Sequence, residues 1–143
     1  MPAGTTDRLV LDASVAVAWC FEDETSRLTE RVLDLLSGGS EALVPCIWPL
    51  EVSNALLVAE RRKRIAQARI SSLLRHIAGL PITLMPIGTL TAFEQILPLA
   101  RQCGLSLYDA AYLELASRMA LPLATLDAEL RRSASQVGIM LLA

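Results

Sequence analysis

Short apolar runs alternate with longer amphipathic segments along this chain, and no other feature of the sequence restricts its fold as strongly. Several runs have the length and apolar character of buried β-strands; they cover residues 8–11, 42–44, 82–85, 122–124 and 138–142. Strands of continuous apolar character that are separated by helices are typical of a parallel sheet covered on both faces. The pattern therefore predicts an α/β fold, a three-layer α/β/α sandwich whose central parallel sheet has four to five strands.

The segments between these runs have helical spacing and recognisable ends. Leu28, Val32 and Leu36 share one helical face, for example, and the run Ser37-Gly-Gly-Ser40 ends that helix. We predict helices over residues 13–19, 25–36, 49–61, 66–77, 89–103, 106–118 and 128–133. Pro98 is expected to kink or split one of them. No repeat or low-complexity tract divides the 143 residues, so we expect one domain, with residues 1–7 as a poorly ordered prefix.

The composition excludes several classes of protein and of site. Hydrophobic residues make up 53% of the chain and charged residues 20%, which excludes intrinsic disorder. The formal charge of −2 provides no uniform basic field for nucleic acid. The three cysteines form no C-x-x-C pair and His76 is the single histidine, so a metal would be held by oxygen ligands. No signal peptide or membrane span is recognised, and a cytoplasmic location is expected.

Four acidic residues fall where a predicted helix begins after a strand or a short loop: Asp12, Glu51, Asp109 and Asp127. The carboxyl ends of parallel strands meet at one edge of a sheet, where ligands bind. Each acid also has a structural explanation: Asp12 and Asp127 as helix N-caps, Asp109 as the acid of a capping box begun by Ser106, and Glu51 as a favourable charge for a helix dipole. Gathered together, however, the carboxylates would repel one another unless a cation or raised pKa values neutralised them. The set therefore indicates Mg²⁺ or Mn²⁺.

A divalent ion held by carboxylates suits the hydrolysis of a phosphodiester bond, because it activates water and stabilises the leaving oxygen without a histidine base or a serine nucleophile. Two alternatives from other classes stay open. A phosphoacceptor signalling domain also gathers acids around magnesium, but it is expected to need a lysine near its last strand, and Lys63 is the only lysine here. In a non-catalytic α/β binding module, the acids would be helix caps and the apolar surface would bind a protein partner.

Four motifs that follow one another in a fixed order give the chain a family resemblance. They are Val10-Leu-Asp12-Ala-Ser14-Val, Pro49-Leu-Glu51-Val-Ser-Asn54-Ala-Leu56, Leu107-Tyr-Asp109-Ala-Ala-Tyr112-Leu and Ala124-Thr125-Leu-Asp127. Over nearly its whole length, the chain resembles the PIN-domain ribonucleases, and among them the VapC-type toxins of prokaryotic toxin–antitoxin systems. The resemblance implies a PIN-like sandwich and a metal-dependent endoribonuclease that serves as a toxin; a PIN nuclease of RNA processing is the alternative within the family.

The resemblance also implies a role for individual residues and a set of partners. It implies that Asp12, Glu51, Asp109 and Asp127 form the catalytic, acidic metal pocket for one or two Mg²⁺ or Mn²⁺ ions, with Asp12 and Asp109 as direct ligands. Ser14 and Thr125 match supporting polar positions, and Asn54 would orient Glu51, touch the substrate or bond the backbone. The implied partners are an RNA substrate, a VapB-like antitoxin whose tail blocks the pocket, and a second copy of the chain in a homodimer.

Two further groups of side chains are candidates for contact with RNA. The basic cluster would either contact phosphates or form a solvated helix end, and we favour the solvated end; it comprises Arg61, Arg62, Lys63 and Arg64. Arg131 and Arg132 follow Asp127 closely and would flank the site. Among the aromatic residues, we expect core packing for Tyr112, and only Tyr108 is placed for contact with substrate.

Overall fold

The structure is a computed structural model that describes residues 7–143. Its central sheet has four strands, all parallel, in the order β3-β2-β1-β4. The strands are β1 (Arg8–Leu11), β2 (Glu41–Pro45), β3 (Ile82–Met85) and β4 (Leu123–Ala124). Apart from their first residues, β1 and β2 are buried throughout, as a parallel sheet covered by helices requires. The predicted α/β fold with a central parallel sheet is confirmed.

Helices flank the sheet and connect its strands. They are α1 (Ala13–Ala18), α2 (Arg27–Ser37), α3 (Trp48–Arg61), α4 (Gln67–Ala78), α5 (Thr89–Thr91), α6 (Leu97–Cys103), α7 (Leu107–Met119) and α8 (Ala128–Gln136). Helix α7 packs against β1, β2 and β4, while α1 packs against α2 and α3. Within residues 7–143, none of these helices combines the length and the apolarity needed to span a lipid bilayer.

The helix predicted over residues 89–103 is interrupted, as its proline predicts. A wider π-helical turn, Ala92–Ile96, joins α5 to α6, and Pro98 follows in the first turn of α6. A proline ring lacks the N–H that would bond the carbonyl of Glu94 four residues earlier, and it collides with that carbonyl in a regular α-helix. The wider turn accommodates both effects.

The strand predicted over residues 138–142 is wrong. Among the described residues, this segment forms only an isolated bridge, in which Leu141 pairs with Leu123. Since β4 is two residues long, it offers a neighbour too little backbone for a continuous ladder. At the other end of the chain, the backbone carbonyl of Asp7 accepts a hydrogen bond from the Glu41 N–H at 2.9 Å. The rest of the predicted prefix, residues 1–6, lies outside the described residues.

Strand β1 is buried after its first residue and fixes the geometry of the carboxyl edge of the sheet. Leu9, Val10 and Leu11 are each 0% exposed. Strand β4 pairs with β1 so that the N–H of Asp12 donates to the carbonyl of Ala124 at 3.0 Å. This pairing places the residue that follows β1 directly beside the residue that follows β4.

Candidate active site

Asp12 lies at the end of β1 and is 5% exposed. Its Oδ2 accepts hydrogen bonds from two hydroxyl groups, Ser14 Oγ at 2.6 Å and Thr125 Oγ1 at 2.7 Å. Although Asp12 occupies the N-cap position of α1, its side chain forms no capping hydrogen bond. Asp12 is therefore at the predicted N-cap position without the capping hydrogen bond, and its Oδ2 is bonded by the turn that follows β4.

The two hydroxyl groups that bond Asp12 are themselves held by backbone donors. Ser14 Oγ accepts from the Leu126 N–H at 3.0 Å, and Thr125 Oγ1 accepts from the Asp127 N–H at 3.0 Å. A hydroxyl group has one proton and can accept two hydrogen bonds. Each hydroxyl can therefore accept from the backbone and direct its single proton at Asp12, which ties the start of α1 to the turn before α8.

Glu51 lies in the first turn of α3 and is half-buried. Its Oε1 accepts a hydrogen bond of 2.5 Å from the hydroxyl of Tyr112, which is 0% exposed on α7. Burial, the hydrogen bond to Glu51 and the negative charge of Asp12 raise the pKa of Tyr112 far above its usual value, so its hydroxyl keeps its proton. Tyr112 was expected only to pack in the core; the missed signal is that a buried tyrosine hydroxyl requires a hydrogen-bond partner.

Asp109 and Asp127 lie at the starts of α7 and α8. The N–H of Asp109 donates to Ser106 Oγ at 3.1 Å, but the reciprocal bond that would complete a capping box is not formed. Asp127 is exposed, and its Oδ1 accepts from the Leu130 N–H at 2.9 Å. The N-cap explanation is thus confirmed for one oxygen of Asp127, whereas the half-buried carboxylate of Asp109 is not used as a cap.

The four acids influence one another electrostatically, although they are far apart in the sequence. Burial raises the pKa of Asp12, and the charge of Asp127 raises it further against the effect of its hydroxyl donors. Burial also raises the pKa of Glu51, with added contributions from Asp12 and Asp109. The pKa of Asp109 is raised by burial and then by Asp12 and Asp127. The fold therefore brings these carboxylates into one electrostatic neighbourhood at the carboxyl edge of the sheet.

No arginine or lysine in residues 7–143 forms an ion pair with any of the four acids. In three of the acids, one carboxylate oxygen accepts a hydrogen bond and the other has no side-chain donor among the described residues; the oxygens without a donor are Asp12 Oδ1, Glu51 Oε2 and Asp127 Oδ2. Within the described part of the chain, no three His, Cys, Asp or Glu side chains stand close enough together to enclose a metal ion by themselves. A hydrated ion needs only one or two carboxylates, because water completes its coordination.

The other candidates at the site differ in what they contact. Asn54 is exposed and, among the described residues, forms no hydrogen bond with Glu51. Arg131 donates through Nη1 to the backbone carbonyl of Thr125 at 2.9 Å, so it does flank the site. Arg132 pairs instead with Glu129 on its own helix.

The basic cluster lies at the far end of α3 from the acids. Ten residues separate Glu51 from Arg61 on this helix, which corresponds to about 15 Å at the α-helical rise. Within the cluster, Arg64 approaches Asp23 to 3.4 Å and lies over the ring of Phe21, 4.3 Å from its centroid. This position agrees with a solvated helix end.

The chain resembles known proteins in sequence. The family model described as the PIN domain matches residues 9–135. Ribonuclease VapC3 of Pyrobaculum aerophilum is 29% identical to this chain over 123 residues, which make up 86% of this chain and 92% of that protein.

Solved structures with the same fold have lower sequence identity. PAE2754 from Pyrobaculum aerophilum superposes with a TM-score of 0.69 and 22% identity, covering 90% of this chain and 80% of that one. VapBC2 from Rickettsia felis, solved bound to a DNA fragment from its promoter, superposes with a TM-score of 0.65 and 14% identity, covering 94% and 97%. At these identities, the likeness shows a shared fold.

Proposed function

Since the chain belongs to the PIN-domain family, we propose that it is an endoribonuclease and that it hydrolyses RNA phosphodiester bonds at Asp12, Glu51, Asp109 and Asp127. One observation carries this assignment. Asp12 is a buried carboxylate at the carboxyl end of the central strand, held by two hydroxyl donors and paired with no cation of residues 7–143. A buried charge without a partner is costly unless a ligand neutralises it.

We further propose Mg²⁺ or Mn²⁺ as that ligand, with Asp12 and Asp109 as its direct contacts. The hard carboxylate oxygens and the absence of imidazole from the site suit these ions. When bound, such an ion polarises the phosphoryl group and lowers the pKa of the attacking water. The mutual repulsion of the four acids is then offset by positive charge, which gives a physical reason for gathering them.

Neighbouring side chains would orient the carboxylates that act in this reaction. Ser14 and Thr125 hold Oδ2 of Asp12 and so fix the direction of Oδ1. Tyr112 fixes Glu51 in the same way and keeps its own proton. In the metal-free chain, burial and the neighbouring carboxylates raise the pKa of Glu51 and of Asp109.

The names of two relatives support a more specific role. The curated relative is a ribonuclease of the VapC type, and VapBC2 is a structural neighbour. We propose that the chain is the toxin of a toxin–antitoxin pair, that it acts on RNA in the cytoplasm as a homodimer, and that a VapB-like antitoxin blocks it. An RNA-processing nuclease with the same acids is the second candidate.

The cleavage experiment compares the wild type with Asp12→Asn and with Asp34→Asn, the same substitution at an exposed position on α2. Wild type and Asp34→Asn should cleave single-stranded RNA in Mn²⁺ or Mg²⁺, and chelation by EDTA should stop both. Asp12→Asn should be inactive, because the amide retains the shape of the side chain but not its charge. Equal cleavage by all three proteins would contradict the assignment of the site.

A growth experiment separates the toxin from the processing nuclease. Controlled expression of the wild type should arrest growth while RNA is degraded, and expression of Asp12→Asn should do neither. Equal arrest by both proteins would show that catalysis is not the cause of toxicity. Normal growth with an active wild-type nuclease would favour RNA processing.

A further inference from the structure

Exposed apolar side chains stand beside the carboxylates of the site. Leu50 precedes Glu51 and is 73% exposed, Tyr108 precedes Asp109 and is 63% exposed, and Leu126 precedes Asp127 and is 39% exposed. Leu107, next to Tyr108, is 46% exposed; we call these four residues the apolar rim. Since neighbouring Cα atoms are about 3.8 Å apart, each of the three acids that begin α3, α7 and α8 has an apolar neighbour at the surface.

Tyr108 is the only aromatic member of the apolar rim, and its environment contrasts with that of Tyr112. The two residues are one helical turn apart on α7, so they share a face of that helix. Tyr112 is fully buried and bonds Glu51, whereas Tyr108 is largely exposed and its hydroxyl has no hydrogen-bond partner among the described residues. Tyr108 therefore lies one turn before Tyr112 on α7 and next to Asp109 in the chain, with its ring exposed and available to a ligand.

Within residues 7–143, no arginine or lysine pairs with the four acids. The basic cluster is about 15 Å from Glu51 along α3, and Arg132 is paired with Glu129. In the part of the chain that the structure describes, Arg131 is the one cation that hydrogen-bonds a residue of the site, through the carbonyl of Thr125. An RNA strand that approaches four carboxylates can therefore form few phosphate contacts next to the hydrolysed bond, and its bases are the remaining source of affinity there.

We propose that the Tyr108 ring stacks on an unpaired base beside the hydrolysed phosphodiester bond. The inference rests on the proposed ribonuclease function and adds a substrate-binding residue to it. Base–aromatic stacking is worth about tenfold or more in binding and requires that the base leave its own stack. Duplex RNA keeps its bases inside the helix, so it cannot make this contact.

The test combines Tyr108 variants with RNA that lacks single bases. The bond that the wild type cleaves in a short single-stranded RNA is mapped first, and each flanking base is then replaced in turn by an abasic ribose. Tyr108→Leu removes the aromatic face and keeps an apolar side chain, while Tyr108→Phe keeps the face and removes only the unpaired hydroxyl. Because Tyr108 is exposed, neither variant should change the melting temperature or its response to Mn²⁺.

Stacking predicts that Tyr108→Leu raises KM by about tenfold with little change in kcat, and that Tyr108→Phe behaves as the wild type. One abasic position should raise KM for the wild type by a similar factor and leave KM for Tyr108→Leu unchanged, since the base and the ring form one contact. Duplex RNA should be a poor substrate for all three proteins. The proposal would be overturned if KM of Tyr108→Leu were unchanged, or if each abasic position raised KM of Tyr108→Leu by the same factor as KM of the wild type. Tyr108 would then be assigned to contact with a protein partner.

A failure of the proposed function would look different, because the wild type would then cleave no RNA at all. In that case, the same three proteins are compared in their binding of a fluorescently labelled single strand of about ten nucleotides. Roughly tenfold weaker binding by Tyr108→Leu alone would still support stacking. Equal binding by all three proteins would refute it.

Discussion

Two buried carboxylates in this molecule, Glu114 and Asp12, differ in the charge of their neighbours. Glu114, on the later turns of α7, is 9% exposed and its Oε1 lies 2.8 Å from Nε of Arg118, one helical turn away. Asp12, at the end of β1, is 5% exposed and pairs with no arginine or lysine of residues 7–143. One region contains the cation that its buried acid needs, and the other surrounds its acid with hydroxyl groups and further acids.

The difference indicates which acid serves the fold and which serves a ligand. A buried carboxylate beside an arginine is compensated within the chain. A buried carboxylate beside other carboxylates needs a bound cation or a proton to neutralise its charge.

The largest expected effect is on RNA cleavage. Asp109→Asn should lower cleavage by at least about a hundredfold, because losing even a group that only orients a metal ligand costs about 10- to 100-fold. Glu114→Gln, a matched change of acid to amide on the same helix, should leave the cleavage rate unaltered. Initial rates on one RNA, measured for both variants at the same Mn²⁺ concentration, make the comparison. A large loss of cleavage rate in Glu114→Gln would contradict the assignment of Glu114 to the fold and of Asp109 to the site.

The next effect is on thermal stability with and without metal. Mn²⁺ at about 100 times its Kd should raise the melting temperature of the wild type by roughly 5 to 10 °C, because it binds only the folded chain. The shift should persist in Glu114→Gln and disappear in Asp12→Asn. Differential scanning fluorimetry across a metal titration measures it. If millimolar Mn²⁺ left the melting temperature of the wild type unchanged, a non-catalytic binding module would be favoured.

A smaller effect is expected from the hydroxyl of Thr125. Thr125→Val keeps the shape of this fully buried side chain but removes the proton that Asp12 Oδ2 accepts. Affinity for Mn²⁺ should fall by about 10- to 100-fold, and the orphaned Asp127 N–H should lower stability as well. Thr125→Ser retains the hydroxyl and should bind Mn²⁺ almost as the wild type does. Isothermal titration gives all three affinities, and equal values for Val and Ser would show that the hydroxyl does not orient Asp12.

The smallest effect concerns pH in the absence of metal. The pKa of Asp12 in the folded chain is above its ordinary value of 3.8, so the folded chain takes up this proton before the unfolded chain does. Stability of the wild type relative to Asp12→Asn should therefore rise as pH falls through the raised pKa towards 3.8, and should be lowest near neutral pH. Urea unfolding of both proteins over this range measures the difference. A difference that is constant with pH would contradict the unneutralised charge of Asp12.

The sequence predicted those parts of the fold that depend on local pattern. The bounds of β1 and β3 are the predicted ones, and Pro98 marks the interrupted helix. Placement of Asp12 at a strand end follows directly from its position after an apolar run. These features depend on side-chain periodicity and on proline geometry, which a single segment carries by itself.

Contacts between distant segments were beyond such reasoning. The bond from Tyr112 to Glu51 joins two helices, and no pattern within either one specifies it. The last predicted strand failed because its apolar residues meet a neighbour of only two residues. Both Asp12 and Asp127 occupy predicted N-cap positions, but only Asp127 forms the capping hydrogen bond, because the hydroxyl groups of Thr125 and Ser14 bond Oδ2 of Asp12.

The bond between Thr125 and Asp12 spans 113 positions of a 143-residue chain. A polypeptide emerging from the ribosome has made Asp12 and Glu51 long before it has made the hydroxyl that fixes the first of them. Domains fold as units once their last essential segment is available. The nascent nuclease is therefore expected to be inactive towards the ribosome that translates it until Thr125 has been synthesised, and a product that stops before Thr125 lacks the hydroxyl that fixes Asp12.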